Sequence, residues 1–156
     1  MPYTSLFIDL DDTIWNFSQN ARDSFEEVYH LFSFERYFDS FDQFFAIYIR
    51  RNDELWAEYA RGEIKKEELN TLRFSYPLET VGIFNQELVK NYSDQFFAII
   101  PTKSKLMPHA REAVEYLADK YNLYILSNGF RELQSRKMQS AGIDQYFKKI
   151  ILSEDI

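Results

Sequence analysis

The stretch Leu6-Phe7-Ile8-Asp9-Leu10-Asp11-Asp12-Thr13 joins a short apolar run to a cluster of acids. Leu6, Phe7 and Ile8 have the composition of a buried parallel strand, which delivers the acids at its carboxyl end. Successive side chains of an extended chain alternate in direction, so Asp9 and Asp11 share one side and Leu10 takes the other. Open α/β sheets bind ligands beyond the carboxyl ends of their strands. Two carboxylates placed there are costly unless a cation or a proton separates their roles. The expected partner is a hard divalent cation, Mg²⁺ with several of its waters. A plainer description is a strand end followed by an Asp-rich turn. The observation that weighs against it lies far along the chain, at Ser127.

Working outward, 156 residues suffice for one domain, or for one domain carrying an insertion. Apolar residues make up 46% of the chain and aromatics 18%, enough for a substantial core, and many Phe and Tyr fall between Phe17 and Phe97. Only 4 Gly and 4 Pro argue against flexible linkers and turn-rich β architecture. The net charge of −7, with no stripe of Lys or Arg, disfavours polymeric nucleic acid and anionic membranes as partners. A small phosphorylated substrate stays compatible, because a metal supplies positive charge. The absence of Cys excludes disulfides, thiolate zinc sites and a Cys nucleophile. The N-terminus shows no basic leader and no long apolar segment, so a cytoplasmic protein is expected.

After Thr13 the pattern turns helical. Asn16 or Ser18 is placed to cap a helix with Phe25, Val28, Tyr29 and Phe32 on one face. Ser40 and Gln43 have capping-box spacing at the head of a long aromatic helix that Gly62 ends. A third helix is expected over Lys65 to Phe74, ended by Pro77, and a fourth after Asn85, ended by Pro101. From Pro108 the alternation changes: a helix with Pro108 in its first turn, a strand Leu123-Tyr124-Ile125-Leu126, a helix from Phe130 to Ala141, and a strand Ile150-Ile151-Leu152. The expected fold is α/β, a Rossmann-like parallel sheet core of about three strands with an inserted helical cap. Residues 1–16 and 99–156 form the core and 17–98 the cap.

Two strand ends then converge, Asp9/Asp11 and Ser127/Asn128. A hydroxyl and a backbone N–H near a helix start suit a phosphate oxygen. The economical chemistry is phosphoryl transfer to an aspartate: Asp9 attacks phosphorus, and Asp11 protonates the leaving oxygen and then activates water. Asp9 and Asp11 are the metal-ligating candidates, with Mg²⁺ held by Asp9 and a nearby backbone carbonyl. Thr13 joins Ser127 and Asn128 on the phosphate side and supports the loop. Trp15, Phe17, Trp56 and Arg73 are candidates for lining a substrate pocket. His30 and His109 read as surface or helix-end residues. The acids lack the Gly and terminal Glu of a calcium loop, and Ser127 lacks the glycines of a nucleophile elbow.

The Asp9-x-Asp11-x-Thr13 motif after an apolar strand, then a helical insertion, then an apolar strand ending in Ser127-Asn128, resembles the haloacid dehalogenase superfamily with a helical cap. The second acid, Asp11, favours its phosphatases over its dehalogenases. Leu55-Trp56, Tyr59, Gly62, Ile64, Arg73-Phe74, Ser127-Asn128-Gly129-Phe130, Leu133-Gln134 and Ser153-Glu154-Asp155 look like the pyrimidine 5'-nucleotidases of the house-cleaning type. The resemblance implies a Mg²⁺-dependent phosphohydrolase acting on a small phosphomonoester, a nucleoside 5'-monophosphate, through an aspartyl-phosphate, with Trp15, Phe17, Trp56 and Arg73 as candidates for lining a base pocket. It also implies a Lys bridging nucleophile and phosphate, and a later strand whose acids complete the metal site. Lys137 lies within a helix, and Lys148 and Lys149 precede the third strand, so none matches that motif. The chain is therefore expected to be truncated at its C-terminal side. A sugar phosphomutase, or a non-catalytic phosphate- or partner-binding module, are the alternatives.

Overall fold

The computed structural model describes residues 2–156. In chain order the elements are β1 (Ser5–Ile8), α1 (Phe17–Leu31), α2 (Phe41–Ala60), α3 (Lys66–Thr80), α4 (Gln86–Ile99), α5 (Ala110–Ala118), β2 (Asn122–Ser127), α6 (Arg131–Ser140) and β3 (Phe147–Leu152). They divide into two compact units, Met1–Ser24 with Phe97–Ile156, and Phe25–Phe96.

The first unit is α/β, as the alternation of patterns implies. Its sheet has three strands in the order β1-β2-β3, and both pairs are parallel. Leu6 and Ile8 stand opposite Leu123 and Ile125, and both β2 residues are fully buried. The other face carries Phe7 and Leu126, which are 59% and 46% exposed, with Phe7 stacked on Tyr124 at 5.2 Å. The first apolar run is thus not buried on both faces as expected. β1 is an edge of the described sheet, and side chains that alternate direction send Phe7 to the opposite face from Leu6 and Ile8.

The chain re-enters this unit alongside the loop that follows β1. The amides of Asn16 and Met107 donate to the carbonyls of Lys105 and Ile14 at 2.9 and 2.8 Å. Buried Asn20 accepts from the Lys105 amide at 3.3 Å and donates to its carbonyl at 2.9 Å. A buried amide side chain must find partners, and here it finds both in one residue of the returning segment. Lys105 Nζ also meets Asp23 at 2.7 Å. α5 begins later than Pro108 suggests: His109 is its N-cap, in the left-handed region at φ 63°, and Pro108 lies in the preceding turn.

The second unit is wholly helical among its described elements. Phe25, fully buried, has its ring within 4.1–6.1 Å of those of Phe44, Phe45, Tyr48, Phe74 and Phe96. Ser40 caps α2 by accepting from the Gln43 amide at 3.1 Å, while the Gln43 side chain reaches back to the Asp39 amide rather than to Ser40. Gly62 closes the helix at φ 74°, a conformation that costs glycine little. Asn85 caps α4 through the Leu88 amide at 3.0 Å.

Pro77 does not end α3, which runs on to Thr80. Proline inside a helix forfeits one backbone hydrogen bond, and about 3 kcal/mol is the usual cost. Burial of Phe74, Pro77 and Leu78 on one face offsets it. Arg73, 5% exposed, donates to Asn70 Oδ1 at 2.7 Å and faces the Phe74 ring at 5.2 Å. Burial pushes its guanidinium below the ordinary range and pushes the Tyr48 and Tyr92 phenols up.

Candidate active site

β1 ends at Ile8, and the next residues fold into a tight loop around one carbonyl. Leu10 is fully buried, and its carbonyl accepts from the amides of Thr13, Ile14 and Trp15 at 3.3, 2.9 and 3.0 Å. The turn forces Asp12 to φ 57°, a left-handed conformation that Asp tolerates better than most residues. Asp12 is spent on structure. It accepts from the Ser18 amide at 2.9 Å and the Ser18 hydroxyl at 2.7 Å, placing an anion at the start of α1. Asn16 accepts from the Gln19 amide at 3.1 Å in the same turn.

Asp9 and Asp11 differ in their surroundings. Asp9 is exposed, and its Oδ2 accepts from the Thr13 hydroxyl at 2.9 Å. Asp11 is half-buried, and its carboxylate meets Lys137 Nζ at 3.1 and 3.3 Å and Gln134 Nε2 at 3.0 Å. Asp9 is thus the carboxylate offered outward, while Asp11 is held from within.

The second strand end is Ser127, 5% exposed, where β2 leaves its pairing with Leu152 of β3. Its Oγ accepts from the Gly129 amide at 3.0 Å, a local turn typical of serine. The same oxygen accepts from Gln134 Nε2 at 2.8 Å. Asp11 and Ser127, from separate strand ends, therefore share one donor. Asn128 follows Ser127 and is exposed.

Gly129 is needed for this closeness: a Cβ there would lie 2.3 Å from Gln134 Nε2 and 2.5 Å from its Cδ. Glu154 and Asp155 sit in a short 3₁₀ turn after β3 and bind the head of α6. Glu154 accepts from the Arg131 amide at 3.0 Å, and Asp155 pairs with the Arg131 guanidinium.

Gln134 and Lys137 are the site residues that sequence reasoning did not assign. Both lie on the inner face of α6 with Met138, and they are 1% and 2% exposed. A signal was present: Phe130, Gln134, Lys137, Met138 and Ala141 follow helical spacing, which places polar groups on a face that is otherwise apolar. The Lys137 ammonium lies 4.7 Å from the Trp15 ring centroid and 5.2 Å from that of Phe17. Trp15, a base-pocket candidate, is fully buried, and its indole N–H donates to the Lys103 carbonyl at 3.2 Å. Trp56 packs edge-on against Tyr59, and Arg73 is buried, both in the helical unit.

A groove of about 600 Å³ between α3 and α4 in the helical unit contains Glu79, Lys90 and exposed Phe84. Asp9, Asp11, Ser127, Gln134 and Lys137 do not line it. Convergent acids, hydroxyl and buried ammonium identify a chemical site better than a groove's size does. No group of three or more His, Cys, Asp or Glu is placed to hold a metal among the described residues. Nor is any helix among them long and apolar enough to cross a membrane.

Known proteins share this arrangement of strands and helices. A crystal structure of the HAD-hydrolase YfnB from Bacillus subtilis, bound to magnesium, superposes with a TM-score of 0.87 at 23% identity, over 99% of this chain and 67% of that one. L-2-haloacid dehalogenase from Xanthobacter autotrophicus superposes with a TM-score of 0.68 at 17% identity, over 98% of this chain and 58% of that one. These likenesses concern the fold. In sequence, YfnB is 24% identical over 98% of this chain and 63% of its own length. Pyrimidine 5'-nucleotidase YjjG of Escherichia coli is 25% identical over 100% of this chain and 65% of its own length. The chain thus spans just under two thirds of these relatives. The model of one family, described as haloacid dehalogenase-like hydrolase, matches residues 3–156, and the chain belongs to that family.

Proposed function

We propose that the protein is a Mg²⁺-dependent phosphohydrolase that cleaves a small phosphomonoester, a nucleoside 5'-monophosphate, through an aspartyl-phosphate on Asp9. The observation that carries this is that Asp11 and Ser127, from separate strand ends, share the Gln134 donor, while Asp9 offers an exposed carboxylate two residues before Asp11. A phosphatase needs a second acid for proton transfer, and Asp11 fits that role. The nucleotide part of the proposal is supported by the name of one relative, a pyrimidine 5'-nucleotidase.

In the first half-reaction a carboxylate oxygen of Asp9 attacks phosphorus and the bond to the leaving oxygen breaks. That oxygen takes a proton from the Asp11 carboxyl. In the second, Asp11, now ionised, takes a proton from water. The water oxygen bonds to phosphorus as the Asp9–phosphorus bond breaks, which releases inorganic phosphate and restores both acids. Ser127 hydrogen-bonds through its hydroxyl to a phosphoryl oxygen throughout and keeps its proton.

The donors fit Mg²⁺. Asp9 offers an exposed carboxylate that accepts from Thr13 through one oxygen, and Mg²⁺ favours one or two carboxylates with retained waters. Asp9 would hold the ion with that side chain, and Asp11, its carboxylate engaged by Lys137 and Gln134, through its main chain. Bound there, the ion would neutralise phosphate charge. Phosphate release from nucleoside 5'-monophosphates, compared between the protein and its Asp9→Asn variant, is the test. Release that depends on Asp9 and on Mg²⁺ is expected, and release that survives the substitution would remove the covalent mechanism.

A further inference from the structure

Gln134 and Lys137 sit one helical turn apart, buried, on a face of α6 that otherwise packs apolar side chains. Burying an amide and an ammonium is costly unless each is well partnered. The Gln134 amide is only half partnered: Nε2 serves Asp11 and Ser127, while Oε1 is buried with no hydrogen-bond partner among the described residues. A stability role alone would favour an apolar side chain at this position. The NH₂ end of the amide faces both Asp11 and the Ser127 oxygen.

We infer that Gln134 and Lys137 are positioning residues that fix the hydrogen-bonding role of Ser127 and the placement of the Asp11 side chain. The Ser127 oxygen accepts from both the Gly129 amide and Gln134 Nε2, at 3.0 and 2.8 Å. With both lone pairs occupied, its own O–H is left to donate, which is what a phosphoryl oxygen requires. Asp11 receives Lys137 on both oxygens and Gln134 on one. These three contacts fix where the Asp11 carboxyl group stands relative to Ser127. Trp15 and Phe17 flank the ammonium and restrict where it can move. The Asp11 part of the inference rests on the phosphohydrolase proposal. The Ser127 part requires only phosphate binding.

The test uses protein made from its natural gene, with Mg²⁺ present, and the variants Gln134→Met, Lys137→Met and Lys137→Arg. Thermal melting shows that each is folded. Gln134→Met should raise both KM for the monoester and Kd for inorganic phosphate about tenfold, the scale of one hydrogen bond to a charged group. Lys137→Met should leave KM near its original value and lower kcat about a hundredfold, as expected for a misplaced reacting group. Lys137→Arg should restore most of the loss. If a methionine variant fails to fold, Gln134→Asn and Lys137→Gln, which shorten each reach, carry the same test. Folded variants with unchanged kcat, KM and phosphate affinity would overturn the inference while leaving the hydrolase proposal standing. Protein that never releases phosphate, yet binds it more weakly after Gln134→Met, would sink the hydrolase proposal and support the assignment for Ser127. No phosphate binding at all would overturn that assignment too.

Discussion

Asp9 and Asp11 are two positions apart and chemically identical, yet their neighbours give them different work. Thr13 holds one oxygen of Asp9, whereas Lys137 and Gln134 enclose Asp11. Asp11→Asn should therefore preserve phosphate binding and lower kcat by ~10²–10⁴-fold, the usual contribution of a general acid–base; steady-state kinetics beside a phosphate titration checks this. Gly129→Ala tests the closeness of the Ser127 turn to α6. Its new methyl would fall 2.3 Å from Gln134 Nε2, so that side chain must leave. A stability loss of about 1–3 kcal/mol by denaturant titration is expected, with phosphate affinity falling as well. The acids and Ser127 were legible because their residue types stand where strand ends are expected. Lys137 is not legible as a site residue, because residue type alone does not show that a helix face turns it toward Asp11.

Helix boundaries were legible where a side chain caps them and obscure where burial overrides propensity. Asn85 and Ser40 cap their helices, though Gln43 does not complete the box with Ser40, and Asn85→Ala should cost about 1 kcal/mol in a denaturant melt. Pro77 reads as a stop in sequence, but a buried apolar face carries α3 through it. Sequence pattern did not reveal the link between α1 and the returning segment, because Asp23 and Lys105 are far apart in the chain. Burial, the largest influence on Asp23, works to raise its pKa. Hydrogen bonds from Lys105 and Gln19 and the charges of Lys105 and Lys103 together outweigh it, holding the carboxyl below its ordinary 3.8. The sign is that of a depressed acid: the stabilisation is present above the unfolded value and lost as pH falls through the folded one. Both partners are partly exposed, so Asp23→Asn should cost only about 0.5 kcal/mol near neutral pH. The gap from the parent protein should close as the pH is lowered through that range.

At the scale of the molecule, the α/β class, the parallel sheet and the helical insertion followed from where the hydrophobic period changes from strand to helix and back. The aromatic richness has its explanation in the Phe25–Phe96 unit, whose core is built around Phe25. Phe25→Ala should remove about 3–5 kcal/mol of that unit's stability, read by loss of its helical signal in denaturant. The faces of the sheet were less legible, because a three-residue apolar run does not say which of its side chains a helix will cover.

The most direct test of the central claim is to trap the covalent intermediate. Protein made from its natural gene, mixed with Mg²⁺ and a nucleoside 5'-monophosphate and quenched with borohydride during turnover, should carry homoserine in place of Asp9 in the peptide mass spectrum. Borohydride reduces an acyl phosphate and leaves a free carboxylate unchanged. Steady phosphate release with Asp9 recovered intact, or with the reduced residue at another acid, would contradict the account.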